Sequence, residues 1–139
     1  MVWTVAVLYP STGLSHMIDT VVVATDGSDS VRRCVITAID LADRFDAELH
    51  ALYVGEDPGD ALSNVAERTD RPVTTAVREG APADEITAYA VEHDIDLVAT
   101  GTRGRHGEHR FLLGSVAEKL IRECPVPVLS VRQLAEEAA

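Results

Sequence analysis

The sequence predicts a doubly wound α/β domain: one five-stranded parallel sheet in the order 3-2-1-4-5, with helices on both faces. Three observations predict it. From Met17 onward, strand-like and helix-like segments alternate along the chain. The strand-like segments are short apolar runs such as "TVVVA" (Thr20 to Ala24), the composition of strands buried on both faces. Five such strands have four helical segments between them, and right-handed crossovers lay each helix on the sheet.

The elements follow in order. After "TVVVA" comes the turn "TDGSDS". Val31, Val35, Ala38, Ala42 and Phe45 then fall at helical spacing, so a helix is expected from Ser28 or Asp29, either a good N-cap, to Phe45. "ELHALYV" (Glu48 to Val54) is the second strand. A polar stretch with Pro58 and Gly59 leads to a short helix near Ala61 to Arg68, and "PVTTAVRE" (Pro72 to Glu79) alternates like a strand.

Pro82, Asp84 and Glu85 mark a first helical turn, after which Ile86, Tyr89, Ala90 and His93 share one face. "DLVAT" (Asp96 to Thr100) is the fourth strand, a glycine-rich segment follows, and a helix is expected from Gly114 to Glu123. "VPVLSV" (Val126 to Val131) is the last strand, and the tail "RQLAEEAA" is expected to fray.

At 139 residues the chain fits one domain with one core. Residues 17–132 are expected to form it, with 133–139 as a tail. Residues 1–16 are read as an upstream extension, disordered or the product of a misassigned start; the alternative is an extra strand from Val2 to Leu8. That segment lacks the basic lead of a signal peptide, and no apolar run is long enough for a membrane span. The expected location is cytoplasmic.

Charge excludes another class. There are 23 acidic residues against 12 basic ones, a formal net charge of -11, and Lys119 is the sole lysine. Such a surface repels nucleic acid. Cys34 and Cys124 sit within separate apolar helical patterns with no ligand set nearby, so both read as buried thiols.

Against that acidic background, "TGTRGRHGEHRFLLGS" (Thr100 to Ser115) gathers four of the nine glycines with three arginines and two histidines. In the expected strand order the direction of winding reverses between the first and fourth strands, where ligands of such folds bind. The first strand ends at "ATDGS" and the fourth at "ATGTRG", which brings Asp26 beside this segment. Gly101 and Gly104 would let the backbone turn tightly and leave amides uncovered. Gly114 and Ser115 open the last helix, whose N-terminus offers free amides with partial positive charge. Arg103, Arg105 and Arg110 add side-chain charge. The segment suits an anion, above all a polyphosphate; the competing reading is a surface loop whose arginines pair with nearby carboxylates.

The spacing Gly101-x2-Gly104-x9-Gly114-Ser115 resembles the nucleotide-binding signature of the universal stress protein family. "LLGSVAEKLIRECPVPVLSVR" resembles that family's C-terminal block, and "VVVATDGSDSV" and "REGAPADEITAYAVEHDIDLVATG" extend the likeness over residues 17–132. The resemblance implies a Rossmann-like fold and a bound adenine nucleotide: ATP, or ADP or AMP, with Mg2+ accompanying the phosphates near Asp26. It implies that Ala24 and Thr25 line the base, that the backbone of Val54 recognises adenine, and that Asp26 contacts the ribose. Thr100, Gly101, Arg103 and Gly104 would cover the ribose and phosphates, and Gly114, Ser115, Val116 and Ala117 would present amides and the Ser115 hydroxyl to the phosphates. It also implies a homodimer through the last strand, Val126 to Val131, whose open apolar edge invites pairing. The composition, rich in Asp and Glu and poor in Lys, resembles that of salt-loving archaea.

Two departures from the family pattern bear on affinity: Glu108 puts a carboxylate inside the glycine segment, and Thr100 stands where Met is frequent. His106 and His109 read as solvated loop residues. Competing functions are a stress-family homodimer that binds no nucleotide, a phospho-acceptor receiver, and an adenylating enzyme suggested by "GSDS" (Gly27 to Ser30). The receiver lacks an acidic cluster and a lysine on the last strand, and the enzyme lacks a second domain. No P-loop or catalytic triad is present, so at most slow ATP hydrolysis is expected, and the downstream protein partner is not legible.

Overall fold

The computed structural model describes residues 18–102 and 114–133. The expected strand from Val2 to Leu8, the residues Arg103, Gly104, Arg105, His106, Glu108, His109 and Arg110, and the tail beyond Gln133 lie outside the described residues.

The chain runs β1 (Thr20–Ala24), a 3-10 turn (Asp29–Val31), α1 (Arg32–Phe45), β2 (Glu48–Val54), α2 (Ala61–Glu67), β3 (Val73–Arg78), α3 (Pro82–Glu92), β4 (Leu97–Gly101), α4 (Ser115–Glu123) and β5 (Val128–Val131). All strands are parallel in the order β3-β2-β1-β4-β5, the doubly wound sheet that the alternation of segments predicts.

Because β1 lies in the middle, its side chains feed two cores. Val21 and Val23 join α1 and α2 on one face through Val35, Ala38, Ala42 and Val65. Val22 joins α3 and α4 on the other through Ile86, Tyr89 and Leu120. The winding direction dictates this division: right-handed crossovers leading from β1 toward β3 put their helices on one face, and those leading to β4 and β5 put theirs on the opposite one. Val21, Val22 and Val23 are wholly buried, each contributing about 1.5–3 kcal/mol of apolar transfer.

Several boundaries differ from the sequence expectation. The apolar stripe of α1 runs through Cys34, Val35, Ala38, Ile39 and Ala42, while Phe45, the last residue of the helix, is left 40% exposed. The chain reverses directly after it at Asp46, with φ 53°. β5 begins at Val128 rather than Val126 because proline has no amide to give to the ladder; Pro127 contributes only its carbonyl, which accepts the Val98 amide at 2.9 Å. His93 ends α3 as its C-cap and stacks on Tyr89 with 4.1 Å between ring centres.

The expected N-cap of α1 is also different. Neither Ser28 nor Asp29 caps through its side chain; the Ser28 hydroxyl pairs with that of Ser30 at 2.8 Å. The cap comes from the far end of the chain, where Gln133 Oε1 accepts the Arg33 amide at 3.0 Å and Arg33 Nη1 donates to the Arg132 carbonyl at 2.9 Å. Gln133 is therefore 6% exposed, and the first two residues of the segment expected to fray are docked. Of the two cysteines, Cys34 is buried and Cys124 half-buried. Among the described residues no helix is long and apolar enough to cross a membrane.

Candidate functional site

In a sheet of this order β1 and β4 are adjacent while their onward connections go to opposite faces, so a crevice opens above their carboxyl ends. The β1 end is fixed from below by Thr25, whose amide donates to the Leu52 carbonyl at 3.0 Å. Thr25 is 6% exposed, and its hydroxyl accepts the Gly27 amide at 3.1 Å. Asp26 Oδ1 accepts the Ser28 amide at 2.9 Å. These two side chains tie the loop to itself, so Asp26, partly buried, stands in a fixed place with the remaining acceptor capacity of its carboxylate unused by this bond.

Gly27 completes the turn. Its φ is +79°, and a Cβ there would lie 3.0 Å from Ala61 Cβ at the start of α2. Both the positive φ and the close approach require glycine. The sequence predicts a turn here without distinguishing Gly27 from its neighbours, because the approach of α2 is a tertiary fact.

The β4 end differs from expectation. Gly101 is not a turn residue: it is the last residue of β4, paired with Val131, and the Thr102 amide continues the ladder to the Val131 carbonyl at 3.2 Å. Thr100 is buried and paired with Ser130. The Gly114 amide then donates to the Thr102 carbonyl, so the two ends of the glycine-rich segment are hydrogen-bonded to each other at the mouth of the crevice.

Gly114 is the N-cap of α4 in an extended conformation, φ -68° and ψ 160°, with no side-chain cap. The first intrahelical bond is Glu118 N–H to the Gly114 carbonyl at 3.0 Å, so the amides of Ser115, Val116 and Ala117 precede the hydrogen-bonded ladder. These are the orphan donors of a helix start, and they carry the positive end of the helix dipole. A glycine cap leaves their acceptor position open to an outside group.

Apolar residues from three elements share a face near those amides. Ala24 from the end of β1, Val54 from the end of β2 and Val116 from the first turn of α4 all pack against the same buried cluster, on the face of α3 and α4. The structure thus brings together Ala24, Asp26, Val54, Thr100, Gly101 and Gly114 to Ala117 at one end of the sheet. Thr25 is turned the other way and lines a cavity on the face of α1 and α2. Among the described residues no group of three or more His, Cys, Asp or Glu could hold a metal ion.

The arrangement suits a ligand with a flat apolar part, hydroxyls for a carboxylate, and an anionic tail for the helix amides. The model of the universal stress protein family matches residues 17–71 and 60–132. The chain is 33% identical to a universal stress protein of Methanocaldococcus jannaschii over 142 aligned positions, covering 84% of each chain. It is 31% identical to a Thermus aquaticus universal stress protein, covering 84% of this chain and all of that one. Among solved structures it is similar, at 27% identity and a TM-score of 0.70, to a universal stress protein in complex with cAMP, covering 84% of this chain and 98% of the other.

Proposed function

The chain belongs to the universal stress protein family, and from that premise we propose that it binds an adenine nucleotide, ATP foremost, as a nucleotide-dependent module of a stress response. The observation that carries this reading is Val116: it packs on the same buried cluster as Ala24 and Val54 while belonging to the uncapped first turn of α4. A base and a phosphate chain have their complementary surfaces at one place. The cAMP complex of the similar structure supports the same ligand class.

In this reading Ala24 and Val54 border the base, the Thr25 side chain faces away from it into the cavity beside α1 and α2, and Asp26 accepts from ribose hydroxyls with the carboxylate capacity that the Ser28 bond leaves. Thr100, Gly101, Arg103 and Gly104 cover the sugar and phosphates. Gly114, Ser115, Val116 and Ala117 donate to the phosphate oxygens. Mg2+ suits this donor set only as a companion of the phosphates, with Asp26 a carboxylate at the same end of the sheet, since the described residues form no cage of their own and Mg2+ is commonly held by one or two carboxylates plus phosphates. We assign no catalytic group, and hydrolysis is at most slow. Nucleotide occupancy acts by favouring one conformation or partner, which requires that the partner prefer the occupied state.

Two further properties belong to the proposal. β5 lies at the edge of the sheet with β4 on its one paired side, so it is the strand through which two copies would pair as a homodimer. The acidic composition suits the cytoplasm of a halophile, where concentrated salt screens self-repulsion.

The test is to purify the full chain in high salt without added nucleotide, denature it, and identify released small molecules by mass spectrometry. ATP, ADP or AMP from the wild type, absent from Gly114→Asp, is the expected result. A wild type that releases nothing and fails to bind added Mg-ATP would leave a family homodimer whose glycine segment serves another purpose.

A further inference from the structure

The cavity between the 3-10 turn, α1 and α2 has no role in the nucleotide reading. It measures about 80 Å³ and is lined by Thr25, Ser28, Asp29, Arg32, Asn64 and Arg68 over a floor of valines. Those valines, Val31, Val35 and Val65, belong to the core of α1 and α2, whereas Ala24, Val54 and Val116 pack on the opposite face. The cavity therefore opens on the α1 and α2 side of the loop that follows β1, and the apolar residues of the nucleotide crevice pack on the other face of the sheet.

Its charge runs against the rest of the molecule. In a chain with 23 acidic and 12 basic residues, Arg44, Arg71 and Arg78 each hold a carboxylate. Arg32 and Arg68 make no side-chain hydrogen bond or ion pair among the described residues, yet both border this one cavity. The hydroxyl of Thr25 spends an acceptor site on Gly27 and keeps its proton to donate, and the Asn64 amide can donate as well.

We infer that this cavity is a second anion site, for a single phosphate-type oxyanion. Size fits the class: the space holds several waters or one hydrated tetrahedral oxyanion, and pockets for drug-sized ligands are several times larger. Charge sets the sign, because two guanidiniums outnumber the one lining carboxylate. Asp29 sets the preference. A carboxylate accepts but cannot donate, so it favours an oxyanion that carries a proton, as hydrogen phosphate does near neutral pH, over sulfate, which has none to give.

The experiment is calorimetric titration of the full chain with inorganic phosphate, sulfate and, separately, ATP and AMP, on the wild type, Arg32→Gln and Arg68→Gln, with thermal melts to confirm folding. Phosphate should bind the wild type about tenfold more tightly than sulfate, and each substitution should weaken phosphate about tenfold, the loss of one charge-assisted contact, while ATP and AMP binding is unchanged. Absence of phosphate binding to the wild type, or binding that both substitutions leave intact, overturns the site. Substitutions that weaken ATP but not phosphate overturn it too, assigning the arginines to the nucleotide's own phosphates. Equal affinity for sulfate overturns the selectivity given to Asp29.

Discussion

The Gly114 amide donates to the carbonyl of Thr102, so the residue before α4 is bonded to the residue after β4. That bond positions the N-cap of α4 above the end of β4 whatever path the intervening segment takes. The cap conformation, φ -68° and ψ 160°, is one that any residue adopts, which separates the folding role of this position from its binding role.

Gly114→Asp should exploit that separation. An aspartate at the N-cap bonds the amide of Val116 or Ala117 and contributes at most a few tenths of a kcal/mol over glycine, so the melting temperature should hold or rise slightly. Nucleotide affinity should fall at least tenfold, about 1.4 kcal/mol or more, because the carboxylate occupies the phosphate donors and repels the anion. Calorimetry and a thermal melt on the same preparation check both halves. A parallel loss of stability and binding would mean that glycine is needed for the fold instead.

Asp26→Asn tests the ribose contact without disturbing the loop. The asparagine oxygen can still accept the Ser28 amide that Asp26 Oδ1 accepts at 2.9 Å, so stability should stay within about 0.5 kcal/mol. Replacing a charged acceptor by a neutral amide should weaken ATP about tenfold, measured by calorimetry. Unchanged affinity would remove Asp26 from the site.

Gly27→Ala should destabilise the fold by about 1–3 kcal/mol. The native φ of +79° is strained for alanine, and the added Cβ meets Ala61 Cβ at 3.0 Å in a helix start that cannot retreat without pulling Ala61 from its buried place. Denaturant titration with an unchanged m-value checks it.

What the sequence made legible, and what it did not, divides by range. The parallel sheet and the two-sided core were readable because Val21, Val22 and Val23 are apolar in succession and each later strand is preceded by a helical segment. The uncapped start of α4 was readable from Gly114-Ser115. His50 was not: its ring, buried within β2, bonds the Tyr89 hydroxyl at 2.6 Å, and only the packing of α3 on that strand brings the two together. Gln133 capping α1 and the close approach of Ala61 to Gly27 escaped for the same reason. Gly101 was misplaced because a glycine after a strand suggests a turn, and the pairing with Val131 that extends the strand lies in the partner, not in the local sequence.

Cys34 carries the last prediction. It lies in α1 against the sheet, and burial pushes its thiol from 9.0 up to about 12, because the thiolate would lose its hydration there. A thiol is neutral when protonated, so the folded state holds its proton at pH values where the unfolded chain has released it. The contribution to stability is therefore fully present below pH 9 and is lost as pH rises from about 9 toward 12, at up to about 1.4 kcal/mol per pH unit. Denaturant unfolding at pH 8, 9.5 and 10.5 should show stability falling in that window. Cys34→Ala should begin less stable from the lost packing but decline less steeply, since it has no thiol to ionise. Parallel declines in the two proteins would show that other groups, and not this buried thiol, govern alkaline unfolding.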